Sequence, residues 1–520
     1  MPQPREKINS VVVNAQQMRQ IEERMFMAGM PVAALMEKVA QLITTAIVQL
    51  YPLSQVSHVG ILVGCGHNGG DALVVGRELH LQGYQVSIYR PLPKLKELTA
   101  THANYIKSLG IPFYEEIQPL ENCELIIDGL FGFGLTRPIA GDIAQAIKEI
   151  NEWTQPVVSI DLPSGIHTDT GNVLGVAICA TYTLCLGLWK LAFMQDQALA
   201  YVGKAQLIDF GIPIADIEAI LSPTPQLQIV TENTAKANLP LPRPLVTHKY
   251  QQGHLLLIGG SRRYGGSIIL AGLAARASGV GMLSIAVPES LKPMVLSQLP
   301  EAIIIGCPET AEGAIAHLLP QACEFDNYTI VACGPGITMA AESAIKTVLK
   351  ANKPLVLDAD GLNILAKLGT KRILQRRKES TVLTPHLGEF KRLFPQISNP
   401  REDKIKAAQT AAKQSGAIVL LKGARTIIAH PNGTAWLIPE STPALARGGS
   451  GDVLTGLIGG LLAQNYIPGK PVEAMVANAS WCHAQAGILA AQERSELGVD
   501  AFTLAGYLTK VWKSIELSTV

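Results

Sequence analysis

Two α/β domains in one chain, each built on a parallel sheet between helical layers, are what this sequence predicts, and three observations predict them. Its 520 residues exceed one ordinary domain of about 100–200 residues. Short, wholly apolar runs that end in glycine or aspartate recur along the chain and alternate with helical stretches, the pattern of buried parallel strands. Between Gly211 and Leu245 the chain holds Pro213, Pro223, Pro225, Pro240, Pro242 and Pro244 and few apolar runs, so the boundary falls there, with domains at 1–222 and 223–520.

The elements follow in order. Met18, Ile21 and Met25, then Leu35, Val39, Leu42, Ile43 and Ala46 after Pro31, stand at helical spacing and predict two amphipathic helices. Strands follow at Val59–Val63, Val86–Tyr89, Leu125–Ile127 and Val157–Ile160, with a helix at Ala72–Gln82. Thr170 to Trp189 carries no formal charge and could span a bilayer by length. Its alternation at 181–186 and its polar residues favour strands. The second series runs Leu255–Ile258, Leu283–Val287, Ile303–Ile305, Thr329–Ala332, Leu355–Leu357, Thr381–Leu383 and Ile418–Leu421, with helices such as Ala340–Ala351 and Ile405–Ser415 between.

Composition excludes several classes. With 48% hydrophobic residues and 47 glycines the chain is neither disordered nor fibrous. Forty-three basic against 42 acidic residues give a net charge of +1, so broad capture of nucleic acid is excluded. The charge is uneven: 14 basic and 21 acidic residues up to position 220 leave −7, and 29 and 21 after it leave +8. The one dense basic run, Lys371 to Lys378, reads as a solvated helix face. Eight cysteines without C-x-x-C or zinc spacing read as small buried hydrophobes in a reducing compartment. Met1 to Ser10 carries Arg5, Glu6 and Lys7 and no apolar run, so no export signal is expected. A cytoplasmic protein without a membrane segment is expected, as is a homo-oligomer.

Three strand ends of the first domain are polar and glycine-flanked: Gly64 to Asp71, Asp128 to Arg137, and Asp161-Leu162-Pro163-Ser164-Gly165. Ligands of open α/β sheets collect at such ends, and glycines let backbone N–H groups reach a phosphate. Asp71 equally reads as a helix cap, and Asp161 as a turn cap. In the second domain Gly448-Gly449-Ser450-Gly451-Asp452 enters the apolar helix Val453–Gln464. That is a nest for a phosphoryl group with a carboxylate beside it to deprotonate a hydroxyl, although Asp452 would serve as an N-cap too.

In combination these motifs resemble the bifunctional NAD(P)H-hydrate repair enzymes. Asn68-Gly69-Gly70-Asp71, Asp128, Gly132 to Pro138, Asp161 to Gly165, and Lys190 after Thr183 resemble the epimerase domain over residues 10–215. Lys249-Tyr250, Gly253-His254, Gly259-Gly260-Ser261, Tyr264 to Ser267, Gly334-Pro335-Gly336, Asp358 to Asn363, Thr384 to Phe390, Lys422-Gly423 and Gly448 to Asp452 resemble the dehydratase domain over residues 230–515. The resemblance implies a Rossmann-like three-layer αβα sandwich followed by a ribokinase-like αβα domain. It implies that Asn68, Asp128 and Ser164 hold potassium, and that His67, Asn68, Gly69, Gly70, Asp71, Gly132, Phe133, Gly134, Leu135, Thr136, Arg137, Pro138 and Asp161 contact the hydrated dinucleotide.

Asp161 is the candidate acid/base of epimerisation, and Lys190 is either a second participant or a surface charge. For the dehydratase the resemblance implies Asp452 as base and Ser267, Gly336 and His386 at the hydrated cofactor. Lys422, Gly423, Ala424, Arg425, Thr426 and Gly451 would hold ADP, with magnesium neutralising its phosphates. ADP over ATP follows from the family's fused bacterial members. His386 also reads as a core histidine bonded to backbone. Departures from the family pattern are His67 for asparagine, Ala72 for glycine, Ser267 for alanine and Ser450 for threonine. A vitamin-precursor kinase shares the glycine signature, and a non-catalytic first domain is a third reading. Tyr264, His386 and the fused first domain argue against the kinase, while Asn68 and Asp161 argue against loss of catalysis.

Overall fold

The computed structural model describes residues 4–465 and 471–517; Met1 to Gln3, part of the stretch read for an export signal, lie outside them. The chain divides into two compact units, Met1–Pro225 and Gln226–Val520. In the first, β1 (Val12–Val13) precedes helices α1 (Ala15–Met27) and α2 (Val32–Leu50), which meet at Pro31 as the spacing predicts. Asn14 opens α1 through a reciprocal capping box with Gln17. Then come β2 (His58–Val63), α3 (His67–Leu81), β3 (Gln85–Tyr89), β4 (Phe113–Tyr114), β5 (Leu125–Gly129), β6 (Val157–Ile160), β7 (Tyr182–Leu186), β8 (Trp189–Lys190) and β9 (Lys204–Ile208).

Seven of these strands form one sheet in the order β4-β3-β2-β5-β6-β7-β9, every pair parallel. Alternate residues feed opposite layers: Leu125, Ile127, Val158 and Ile160 join the core beneath α1, α2 and α3, and Leu62, Ile126 and Val157 join the core on the other face. Full burial on both faces explains why these strands read as continuous apolar runs, each large side chain contributing roughly 1.5–3 kcal/mol. Thr170–Trp189 contains β7, where its alternation lies, and reaches the first residue of β8. Helix α2 has the length and apolarity of a membrane span, yet Leu35, Val39, Ile43 and Ile47 are buried in the domain core.

The second unit carries β10 (Leu227–Ile229), β11 (His254–Ile258), β12 (Met282–Pro288), β13 (Ile303–Cys307), β14 (Ile330–Cys333), β15 (Leu355–Leu357), β16 (Thr381–Leu383), β17 (Ile418–Leu421), β18 (Ile427–Ala429) and β19 (Ala435–Leu437). They form one sheet in the order β10-β19-β18-β17-β16-β15-β14-β11-β12-β13, parallel except where β18 pairs with β17 and β19. Both units are α/β with dominant parallel sheets, the predicted class. Strand order reverses between β2 and β5 in one sheet and between β11 and β14 in the other, and such switch points open a crevice at the strands' carboxyl ends.

Helix Ser450–Asn465 lies in the second core against helix Gly265–Ala277. Its glycines permit the approach: a Cβ on Gly456 would fall 1.9 Å from the Ala271 carbonyl oxygen, and one on Gly460 2.1 Å from Ser278 Oγ.

Two helix starts differ from expectation. α3 begins at His67, with Gly66 as its N-cap, rather than at Ala72, so Asp71 lies inside the helix and caps nothing. The helix after the glycine run begins at Ser450 rather than Val453, which puts Asp452 within its first turn rather than at the cap. The run Lys371–Lys378 is solvated as read, with Lys371, Arg372, Arg376 and Lys378 exposed, but only its first part is helical and one of its arginines departs from the pattern. Helix Thr370–Leu374 ends early, and Arg377 turns inward to donate to the carbonyls of Leu349 (2.8 Å), Ala351 (3.0 Å) and Lys353 (2.6 Å), closing the end of helix Glu342–Lys350.

Candidate functional site

At the first switch point the chain leaves β2 through Gly64 and enters α3 at His67. The turn is tight: a Cβ on Gly64 would stand 1.7 Å from the Leu130 carbonyl oxygen, and one on Gly69 2.0 Å from that of Gly64. A cavity of about 770 Å³ opens here, and His67, Asn68, Asp71, Gly132 through Arg137, and Asp161 all line it. Gly69, Gly70 and Pro138 are not on its wall. Gly70 faces Met36 instead, its Cβ position 2.7 Å from Met36 Cε.

Asp161 follows β6 with φ +69°, a left-handed conformation uncommon for a residue with a Cβ, and strain of this kind gathers at functional sites. Its Oδ2 accepts from the Phe133 N–H at 2.9 Å, and its Oδ1 takes Lys190 Nζ at 2.5 Å. Lys190 also donates to the Leu186 carbonyl at 2.5 Å and is fully buried, so the surface-charge reading is corrected. A buried ammonium needs a paired carboxylate, and Asp161 supplies it. Burial, with Asp161 and Glu22 adding repulsion, pushes the Asp71 carboxyl well up.

Beneath this cavity lies Asp128, wholly buried at the end of β5. Its Oδ1 accepts from Ser164 Oγ (2.6 Å) and the Leu130 N–H (3.2 Å), and its Oδ2 from Ser159 Oγ (2.8 Å) and the Ser164 N–H (2.8 Å). Burial raises its pKa, the hydrogen bonds oppose that, and no cationic side chain among the described residues pairs with it. Asn68 Nδ2 is buried without a partner among the described residues. Asn68 Oδ1 and Asp161 Oδ2 both stand about 3 Å from where a Cβ on Gly132 would project (3.1 and 3.0 Å), so a side chain there would crowd both.

The second switch point gathers another set. Gly334, at φ +130°, passes so close to β15 that a Cβ would sit 1.9 Å from the Asp358 carbonyl oxygen. Asp358 is buried; its carboxylate takes Lys422 Nζ (2.8 Å) and Thr455 Oγ1 (2.8 Å). Burial opposes its ionisation, but Lys422 and these hydrogen bonds leave its pKa below the usual value. Lys422 begins the turn 422–426 between β17 and β18, and its ammonium lies 3.4 Å from the Cβ position of Gly451. Ala424 and Gly423 are exposed, while Arg425 and Thr426 are half-buried.

Gly451 and Asp452 occupy the first turn of helix Ser450–Asn465, and their N–H groups have no backbone acceptor among the described residues. His483 lies beneath: its Nε2 bonds the Ser450 carbonyl at 3.0 Å, and burial brings its pKa down to about 4, so a neutral ring holds the turn. Burial pushes the Asp452 carboxyl up to about 7, Asp358 adding to this while Ser267 and Lys422 oppose it. Ser267 and Gly336 are neighbours, the Cβ position of Gly336 being 3.0 Å from Ser267 Cβ. His386 is exposed and caps helix Leu387–Leu393, Nδ1 accepting from the Gly388 N–H at 2.9 Å, so the core-histidine reading is corrected.

Glu22, Asp358 and His483 were not singled out in the sequence as site residues. Glu22 sits on an amphipathic helix beside the exposed Glu23 and Arg24, and His483 lies inside the long apolar helix Val472–Arg494, where neither position carries a motif. Asp358 closes an apolar strand and opens Asp-Ala-Asp-Gly, the signal that could have found it.

Residues 255–510 match the family described as NAD(P)H-hydrate dehydratase, and residues 32–192 the family described as YjeF-related protein N-terminus. The chain is 55% identical to the bifunctional NAD(P)H-hydrate repair enzyme Nnr of Synechocystis sp. over 96% of its own length and 94% of that protein. It is 31% identical to the protein of the same name from Coxiella burnetii over 96% and 99%. Among solved structures, the ADP/ATP-dependent NAD(P)H-hydrate dehydratase from Bacillus subtilis, co-crystallised with ATP/Mg2+, matches at 34% identity over 55% of this chain and 97% of that one, with a TM-score of 0.47. With two domain families matched in tandem and relatives aligned almost end to end, the chain belongs to the bifunctional NAD(P)H-hydrate repair enzymes.

Proposed function

We propose that the cavity around Asp161 interconverts the R and S epimers of hydrated NADH and NADPH, and that the cradle before helix Ser450–Asn465 dehydrates the S epimer with ADP, giving AMP and phosphate. One observation carries the second half: a half-buried carboxyl, Asp452, beside unsatisfied N–H groups at a helix start whose partial positive charge favours a phosphoryl group. Asp452 takes the proton of the ring hydroxyl as its oxygen attacks the β-phosphorus of ADP and AMP departs. The ring nitrogen lone pair then expels phosphate, and loss of a proton from the adjacent carbon restores the reduced nicotinamide.

Lys422, tied to Asp358 and close to Gly451, supplies fixed positive charge at the cradle. No group of three His, Cys, Asp or Glu among the described residues could hold a metal, which fits magnesium arriving on the nucleotide's phosphates, where it neutralises their charge. The turn 422–426 covers the nucleotide, and Ser267, Gly336 and His386 face the hydrated ring.

In the first unit, Asp161 is fixed by Lys190 and the Phe133 N–H and exchanges protons with the epimerising hydroxyl. The loops at 67–71 and 132–138 hold the dinucleotide. Potassium fits at Asn68, Asp128 and Ser164: the donors are hard oxygens, and Asp128 is a buried carboxylate without a cationic partner among the described residues. When bound, the ion balances that charge and stiffens the loops it joins.

Supplying each epimer separately, with and without ADP, tests the assignment through recovery of reduced-nicotinamide absorbance. Both epimers should be consumed with ADP. Asp161→Asn should restrict rapid consumption to the S epimer; unchanged use of R in that variant would remove Asp161 from the mechanism.

Ser267 offers a finer check. Its hydroxyl favours ionised Asp452, so Ser267→Ala should raise the pKa of that base. A base works only when deprotonated, so the acidic limb of the dehydration profile should move to higher pH by about one unit, the worth of one hydrogen bond to a charged group. An unmoved limb would dissociate Ser267 from Asp452.

A further inference from the structure

An epimerisation that removes water from one face of a ring and returns it to the other needs two proton carriers in opposite states: an acid for the departing hydroxyl and a base for the incoming water. Asp161 is suited to only one of these parts. Lys190 Nζ donates to its Oδ1 and the Phe133 N–H to its Oδ2, so it meets the site as an acceptor. Three more carboxyls, Glu22, Glu23 and Asp71, line the same cavity. Glu22 projects from α1 among its buried Ile21 and Met25, and it has no hydrogen-bond partner among the described residues.

We propose that Glu22 is the acid of the epimerase site, giving its proton to the departing ring hydroxyl while Asp161 takes the proton of the water that adds to the opposite face. This rests on the reading of the cavity as the epimerase site. The balance is simple. The C–O bond breaks as the ring nitrogen lone pair forms a C=N bond, and the Glu22 proton leaves with the hydroxyl as water. Water then adds to the other face as the C=N bond returns its electrons to nitrogen, and the surplus proton passes to Asp161. Exchange with solvent resets the two carboxyls.

The charges around Glu22 agree with this part. Arg19 and Glu23 on its own helix, His67 and Asp71 on α3, Lys96 and Arg137 on the loops, and the Asp161–Lys190 pair line the same cavity. Burial pushes the Glu22 carboxyl up to about 7, Asp161 pushing the same way against Lys190 and Arg19. Of the four carboxyls on this wall, Asp161 is paired with Lys190, Glu23 is exposed and Asp71 lies inside α3, which leaves Glu22 as the carboxyl that α1 contributes unpaired among the described residues.

The test uses the full chain without ADP, following the ratio of epimers by chromatography from pH 5.5 to 9 against the uncatalysed background. Glu22 must be protonated to act, so the wild-type rate should fall as pH rises past about 7. Glu22→Gln should lower kcat by about 10²-fold or more, with KM little changed, and should abolish that limb. Glu22→Asp should retain part of the rate and the limb. Dehydration of pure S epimer with ADP, performed by the second unit, reports in the same tube that the chain is intact. A slow Glu22→Gln protein that keeps the wild-type limb would make the residue structural and overturn the proposal. So would a fully active one, while Asp161→Asn remained inactive. If neither substitution slowed epimerisation, the reading of the cavity itself would fall.

Discussion

Asp452→Asn is expected to slow ADP-driven dehydration by about 10²–10⁴-fold, the usual worth of a positioned general base. The change is isosteric, and it removes a carboxyl whose ionisation burial already resists, so the helix start and its N–H groups should persist. ADP should bind at least as tightly, because a negative charge facing the phosphates is gone. The measurement is single-turnover recovery of reduced-nicotinamide absorbance beside calorimetric ADP titration. Undiminished recovery would move the base elsewhere in the second unit; loss of ADP binding would make Asp452 a binding group.

The second large effect belongs to Lys190→Met. Lys190 is fully buried, and its ammonium bonds Asp161 and the Leu186 carbonyl. Methionine fills much of the volume but strands a buried carboxylate and a carbonyl, so a loss of about 3–5 kcal/mol is expected. Because two units share the chain, a single melting midpoint would mislead. Hydrogen exchange in peptides of β6, β7 and β8 is the readout. Unchanged exchange in these peptides would show that the pair does not hold this end of the sheet together. Epimerisation should fall as well, since Lys190 positions Asp161.

Much of the fold was legible because buried parallel strands advertise themselves: β15 and β17 are wholly apolar, β16 is apolar after Thr381, and all three end where the pattern ends. Helix starts were less so. Glycines at 64, 66, 69 and 70 suggest a loop by propensity, yet three of them are small because backbone or Met36 lies against them, and α3 begins among them. Strand ends marked Asp128 and Asp161, and a glycine-rich helix start marked Asp452. The Asp161–Lys190 pair spans 29 positions, and Lys422 and Asp358 are 64 apart; only the sheet order brings them together. Glu22 was invisible for a related reason: on α1 its neighbours Glu23 and Arg24 are exposed, and nothing local marks one acid as turned toward a cavity.

The glycine face of helix Ser450–Asn465 has a mechanical consequence. With Gly456 and Gly460 seated against the backbone and side chains of the preceding layer, that helix has no slack in which to slide or tilt. In the proposed reaction it would serve as an anvil for the phosphoryl group. Any closure over the nucleotide would then fall to the exposed hairpin at 423–424, and variation in nucleotide preference among relatives should accumulate there rather than on the helix.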